Sequence, residues 1–225
     1  HDALPIYGRR EIGGHRHANL GSLGCGERGN TRHQPLDKTF HRHHSHKIMN
    51  GYGAPCSTMI TPSHHHIMPG YWPGLLARIT EMHALYYART SGFGQRFESV
   101  VAGGLATFAD RLENTSNGLW SAVQDDRVIG CIAIDGEDLG NNLAHLRWFI
   151  VDDSARGTGI GKALLRTALA FVDAHAFSQT HLWTFSSLQA ARHLYESHGF
   201  ACVEEKEGQQ WGPLMLEQRY VRPHR

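Results

Sequence analysis

The 225-residue sequence predicts an α/β fold. Three observations carry this. An apolar run, Leu146 to Val151, feeds a glycine-rich turn, Asp152-Asp153-Ser154-Ala155-Arg156-Gly157-Thr158-Gly159-Ile160-Gly161-Lys162. A helical stripe leaves that turn: Ile160, Leu164, Ala168 and Val172 recur every four residues, with Leu165 and Leu169 beside them. Further on, another apolar run, His181 to Phe185, precedes a helix-period segment carrying Leu188, Ala191, Leu194, Tyr195 and His198 on one side.

The strand–turn–helix unit has a chemical consequence. Glycines let the backbone turn sharply and approach a ligand without a Cβ in the way. The first N–H groups of a helix have no partner within it, and the helix dipole adds positive potential there. Such a place suits a phosphate, and Arg156 and Lys162 flank it with positive charge. The spacing excludes two phosphate motifs. A P-loop needs GxxxxGK[ST], but Gly157 and Gly161 are too close and Ala163 follows Lys162. A dinucleotide fingerprint needs GxGxxG, and the order here is Gly157-x-Gly159-x-Gly161. What fits is Arg-x-x-Gly-x-Gly at Arg156, Gly159 and Gly161. Taken alone, these glycines also suit a turn of purely structural purpose.

This spacing resembles the pyrophosphate-binding motif of the GNAT superfamily of acetyl-CoA-dependent N-acetyltransferases. A second segment, Ala190 to Phe200, looks like the later GNAT motif, a helix reading A-x-x-L-Y-E-x-x-G-F. The resemblance covers roughly Ile67 to Tyr220. It implies a mixed, mostly antiparallel twisted sheet with helices on both faces, splayed where acetyl-CoA enters. It also implies direct attack by an uncharged primary amine on the thioester of acetyl-CoA.

Composition sets the outer bounds. Lys and Arg number 22 against 21 Asp and Glu, a net charge of +1 that gives no bias toward nucleic acid. No apolar run approaches the length of a membrane-spanning helix, and no signal-peptide pattern opens the chain, so no membrane partner is expected. The cysteines, Cys25, Cys56, Cys131 and Cys202, show no CxxC spacing. Cys131 and Cys202 lie in apolar strand-like runs and read as small buried hydrophobes, which points to a reducing cytoplasm.

Residues 1–66 read as a His- and Gly-rich extension, and 67–225 as the domain. The extension holds 11 of the 18 histidines and only three aromatics, Tyr7, Phe40 and Tyr52. Without an apolar period it cannot bury enough surface to offset its chain entropy, so it is expected to be disordered. His41, His43, His44 and His46, then His64, His65 and His66, invite metal, but nothing supplies a scaffold or second shell, and no metal site is assigned. Met59-Ile-Thr-Pro-Ser looks like a translation start, which would make the preceding residues non-native.

From Ile67 the elements follow in order. Ile67-Met68 is the tail of a first strand, and Pro69, Gly70, Pro73 and Gly74 punctuate a turn. Leu75, Leu76, Ile79, Met82, His83 and Tyr86 form one helical stripe, ended by Ser91 to Gly94. Phe97, Val101, Leu105, Phe108 and Leu112 form the next, despite Gly103-Gly104. The wording here, Tyr86-Tyr87-Ala88, Gly92-Phe93 and Phe97-Glu98, is similar to GNAT domains fused to MarR-type regulators, although no helix-turn-helix domain is recognisable in the residues before it. Leu119 to Val123 is a strand, Asp125-Asp126-Arg127 a turn, and Val128 to Asp135 a strand with Val128, Gly130, Ile132 and Ile134 on one side. After a polar loop, Leu143 to Val151 is the central strand. Strands are also expected at Phe200 to Glu204 and Leu214 to Tyr220, with Gly208 to Pro213 a loop between them.

The resemblance assigns roles. Arg156, Gly157, Thr158, Gly159, Ile160, Gly161 and Lys162 would hold the pyrophosphate. Phe149, Ile150 and Val151 would pair through their main chain with the pantetheine arm, and a backbone N–H would stabilise the developing oxyanion. Many GNAT proteins carry Asn at the place of Leu188, and Ser186 and Ser187 are the nearby polar substitutes. Tyr195 would act as general acid toward the leaving thiolate, unless it only completes the helix stripe. For the base, a water chain, His83, His145 and Glu81 stand level. His145 and Arg147 share one strand face, where they reach substrate or pair with Asp135 or Glu137. The acceptor, a small-molecule or peptide amine, is unnamed, and a homodimer accords with relatives. Two other classes stay open: a non-catalytic acyl-CoA-binding or regulatory module, and a nucleic-acid binder using the basic extension, which lacks the aromatic interleaving of a single-strand platform.

Overall fold

The computed structural model describes residues 65–209 and 213–224. The extension's histidine clusters, apart from His65 and His66, therefore lie outside the described residues, as do Cys25, Cys56 and the tip of the Gly208–Pro213 loop. Among the described residues seven strands form one sheet: β1 (His66–Pro69), β2 (Gly118–Gln124), β3 (Arg127–Asp135), β4 (Leu143–Val151), β5 (Gln179–Phe185), β6 (Ala201–Gly208) and β7 (Met215–Pro223). Their order is β1-β2-β3-β4-β5-β7-β6. Every pairing is antiparallel except β4 with β5. Four helices complete it among the described residues: α1 (Leu75–Ser91), α2 (Gln95–Ala109), α3 (Ile160–Ala174) and α4 (Gln189–Glu196). None among the described residues is long and apolar enough to cross a membrane.

Side-chain alternation gives the sheet two apolar faces, and each face has its own helices. Leu119, Cys131, Ala133, Trp148 and Ile150 meet α1 and α2 through Ile79, Tyr87, Phe97, Leu105 and Phe108. Trp120, Ile132, Ile134, Leu146 and Phe149 meet α3 and α4 through Leu164, Ala168, Val172, Ala191 and Tyr195. Gly130 sets how closely α3 sits on the sheet: a Cβ there would stand 3.1 Å from both the Ile150 carbonyl and Leu164 Cδ1. The β2–β3 hairpin turns through Asp125 (φ 49°) and Asp126 (φ 59°), two left-handed residues in the pattern that matches strand twist.

Several sequence expectations change in the fold. Val128 packs with Cys131 and Ala133 on the α1–α2 side, not with Ile132 and Ile134, because a bulge opposite Ala122 and Val123 inserts Ile129 and inverts the facing. Helix α2 stops at Ala109, before Leu112. In α1 the buried tyrosine is Tyr87, which leaves Tyr86 half-buried. Cys202 is exposed, not buried. It sits on β6, an edge strand that stays open to solvent along almost its whole length. Cys131 is buried, and its thiol donates to the Trp148 carbonyl at 2.9 Å. Burial pushes that thiol well above its ordinary range.

Candidate active site

The site is built on β4. Its ladder with β5 covers only Leu143, Ala144 and His145 against Gln179, Thr180 and His181. Beyond His145, the β5 side of β4 has no strand partner among the described residues. On the other side β4 pairs with β3, but between Arg147↔Ala133 and Ile150↔Cys131 it spends two residues, Trp148 and Phe149, against one. This bulge holds Trp148 at φ 46°. A bulky residue in that region costs on the order of 1–3 kcal/mol, and its fully buried ring, packed on Phe108 at 5.1 Å, over-determines it. The bulge breaks the regular ladder beside Phe149, Ile150 and Val151, whose β5 side is the unpartnered one.

After β4 the chain makes a short 3-10 turn, Asp153–Ala155. Asp152 caps it, accepting from the Ser154 N–H at 3.1 Å and from its hydroxyl at 2.8 Å. Asp152 also takes Arg78 at 2.6 Å and Arg127 at 3.3 Å. Burial pushes the Asp152 carboxyl up, but the Ser154 bonds and the arginines outweigh it and hold the group low. Gly157 (φ 76°) and Gly159 (φ 88°) then turn through the left-handed region into the first turn of α3. Helix α3 starts at Ile160, where the sequence pattern places it.

Arg156 does not point away into solvent. It pairs with Asp153 at 2.9 Å, and its guanidinium lies 4.3 Å from the centre of the Tyr86 ring. Together Arg156 and Tyr86 line two adjoining grooves. One, of about 180 Å³, lies between α1 and residues 150–153. The other, of about 390 Å³, is closed by Ser187, Leu188, Gln189, Ala190 and Ala191 at the start of α4. So Arg156 and Ser187, about thirty residues apart, meet at one groove, while Lys162 is exposed on α3 and Ile160 and Gly161 are buried. Tyr195 is fully buried, with its ring 6.2 Å from Phe149, 5.8 Å from Phe200 and 6.1 Å from Tyr220. That contact joins the expected acid to the β4 bulge.

The model of the acetyltransferase (GNAT) family matches residues 79–200. The chain belongs to the GNAT family. The matched span holds both the Arg156–Gly161 turn and the Ala191–Phe200 motif that begins in α4. N-acetylaspartate synthetase of Danio rerio is 36% identical over 96 residues, covering 43% of this chain and 34% of that protein. N-acetyltransferase 8B of Homo sapiens is 32% identical over 99 residues, 43% of this chain and 44% of that protein. The chain thus matches less than half the length of these relatives. Among solved structures, yncA of Salmonella typhimurium, determined with its cofactor acetyl-CoA, has a TM-score of 0.58 over 70% of this chain and 94% of that one, at 13% identity. It shares the GNAT fold.

Of the three side-chain base candidates, Glu81 and His83 lie on α1 and His145 on β4 of this GNAT domain. Glu81 lines the smaller groove and pairs with Arg78 at 2.6 Å. His83 is buried, its Nδ1 2.8 Å from the Ile79 carbonyl of its own helix. His145 is buried on β4. Its partner is Asp138, at 2.6 Å, not Asp135 or Glu137. Asp135 instead holds Arg147 at 3.1 Å and Arg111 at 3.1 and 2.8 Å. Two participants were invisible to sequence reasoning. Tyr86 obeys the helix stripe as well as Tyr87 does, so periodicity cannot tell groove from core. Asp138 is one of several acids in a polar loop, and only the loop's path back to β4 selects it.

Proposed function

We propose that this GNAT domain is an acetyl-CoA-dependent N-acetyltransferase that moves the acetyl group to a primary amine by direct attack. One observation carries the reading: the β4–β5 ladder ends at His145 and His181, leaving a free strand edge that runs straight to the glycine turn of α3. An extended, amide-bearing arm adds to a free strand edge by backbone hydrogen bonds, and a pyrophosphate suits the helix start beyond it.

In this reading Phe149, Ile150 and Val151 hold the pantetheine arm through their main chain, with one N–H meeting the thioester carbonyl. The backbone of Gly157, Thr158, Gly159, Ile160 and Gly161 cradles the pyrophosphate, aided by the charges of Arg156 and Lys162, and Ser187 borders the arm. Arg156 exchanges Asp153 and Tyr86 for phosphate oxygens. Tyr195 protonates the leaving sulfur. Holding amine and thioester together supplies much of the rate. The names of the relatives support an amine acceptor, and L-aspartate heads the list to test. Residues 67–225 carry the activity, and 1–66 are an extension to it.

The experiment is thiol release from acetyl-CoA against a panel of amines. Tyr195→Phe should slow amine-dependent release about 100-fold, and Arg156→Glu should weaken acetyl-CoA affinity with little loss of stability. Tight acetyl-CoA binding without release by any amine would refute the transferase reading. No acetyl-CoA binding would refute the assignment of the glycine turn.

A further inference from the structure

On the α3–α4 side of the sheet a cleft of about 440 Å³ lies between Arg192 of α4, Cys202 and Glu205 of β6 and Gln218 of β7. It is separate from the two grooves beside Arg156, because none of the residues lining it lines either of them. The strand register builds its floor. Tyr220 packs with Ala191 and Tyr195 on this side, so alternation along β7 brings Gln218 to the same side. Cys202 stands opposite Tyr220. Glu205 stands opposite Gln218.

Two polar groups in this floor are buried and unmet. Gln218 is 3% exposed, and its amide donates to the Glu205 carboxylate. An ionised carboxylate only accepts, so the amide gives its NH2 to Glu205 and turns its oxygen elsewhere. That oxygen, Oε1, is buried and has no hydrogen-bond partner among the described residues. The Tyr220 hydroxyl is buried and equally unmet. Burial pushes its phenol above the ordinary value, with Cys202, Glu196 and Glu205 adding to the rise and Arg192 opposing it. The hydroxyl therefore feels the cleft's own groups and keeps its proton near pH 7. A buried oxygen without a donor is expensive, and a leucine at position 218 would spare that cost. The charges are lopsided as well. Arg192 is held by Glu196 at 2.8 Å, and Glu204 by Arg219 at 2.8 Å. Among the described residues this leaves Glu205 with an amide and no cation.

We infer that this cleft is a binding site for a primary alkylammonium, held by Glu205 and Gln218. An ammonium carries three N–H donors and no acceptor. Glu205 supplies the opposite charge and one acceptor, Gln218 Oε1 a second, and the Tyr220 oxygen a third. Val203, 51% exposed at the rim, gives the alkyl tail an apolar contact. An anion finds the reverse: two acceptors facing it, and an arginine already committed to Glu196. The inference is independent of the acetyltransferase reading, since the cleft shares no lining residue with the acetyl-CoA grooves.

The test is a nitrogen-15 NMR titration of the full chain with n-butylammonium chloride, without acetyl-CoA. Sodium chloride and n-butanol serve as controls. The Gln218 side-chain amide signal, identified by its absence from Gln218→Leu, should shift and saturate with n-butylammonium alone. Calorimetry with the same probe should find binding about 10-fold or more weaker in Glu205→Gln and in Gln218→Leu. Glu205 is exposed, so its variant keeps the fold, and its amide spectrum away from the cleft should match the wild type. A Gln218 signal that stays still, or that moves equally with sodium chloride or n-butanol, overturns the assignment. So does undiminished binding by both variants, which would place the cation in the grooves beside Arg156 instead.

Discussion

Asp135→Ala is the substitution whose cost can be worked most directly from the structure. The carboxylate is fully buried at the end of β3. It accepts from Arg111 at 3.1 and 2.8 Å, from Arg147 at 3.1 Å, and from the N–H groups of Glu137 at 3.2 Å and Asp138 at 3.0 Å. Truncation strips the Arg147 guanidinium, itself only 2% exposed, of the carboxylate it holds at 3.1 Å. Removing one partner of a buried pair costs about 3–5 kcal/mol, because the other charge stays buried. In a domain of this size that lowers the melting temperature by roughly 6–20 °C. The loss should show as a lower urea midpoint with an unchanged slope. Adding Arg147→Leu should recover about 1–2 kcal/mol by removing the buried charge that Asp135 had paired. A loss below about 1 kcal/mol for Asp135→Ala would refute this account of the network. The same change should also disturb His145, since Asp135 holds the loop backbone that places Asp138.

The remaining predictions concern the glycine turn and acid pH. Gly159→Ala should lose about 1–2 kcal/mol, all of it conformational, because φ is 88° and a Cβ there meets nothing within 4 Å; urea unfolding reads it. The same variant should bind acetyl-CoA more weakly by calorimetry, since the turn aims the first N–H groups of α3. Stability should fall as pH drops from about 6.5 toward about 4. The unfolded His145 binds a proton there and the folded one, depressed chiefly by burial, does not. The loss is on the order of 3 kcal/mol, and His145→Gln should flatten it. Asp152 and Asp138, held low in the fold, add their own losses only below about 3.8, where the unfolded carboxylates protonate first.

Local rules made the glycine turn and α3 legible. Arg156, Gly159 and Gly161 stand at spacings that only a short strand-to-helix turn accommodates, and Ile160, Leu164, Ala168 and Val172 advertise a buried face four residues at a time. β2, β4 and β5 were readable for the same reason: neighbours in sequence share the environment that patterns them. The sheet edges were not. Cys202 lies in an apolar run, yet β6 is an edge strand and leaves it exposed, because strand order depends on β7 inserting between β5 and β6. Nothing near Trp148 marks a residue with φ 46°; the bulge exists because β3 and β4 must match across one extra residue.

The amino-acid sequence by itself carried the family resemblance in two motifs, and it determined the order of strands and helices along the chain, since each such element rests on contacts within one or two turns of chain. Only the tertiary structure decided where the β4–β5 ladder stops, which tyrosine of α1 reaches the grooves, and which carboxylate orients His145. Those outcomes depend on residues far apart in sequence meeting in space: His145 with His181, Tyr86 with Arg156, and a loop acid folding back on the strand that follows it. Periodicity carries no information about such pairings, because it reports that a face is buried and not what buries it.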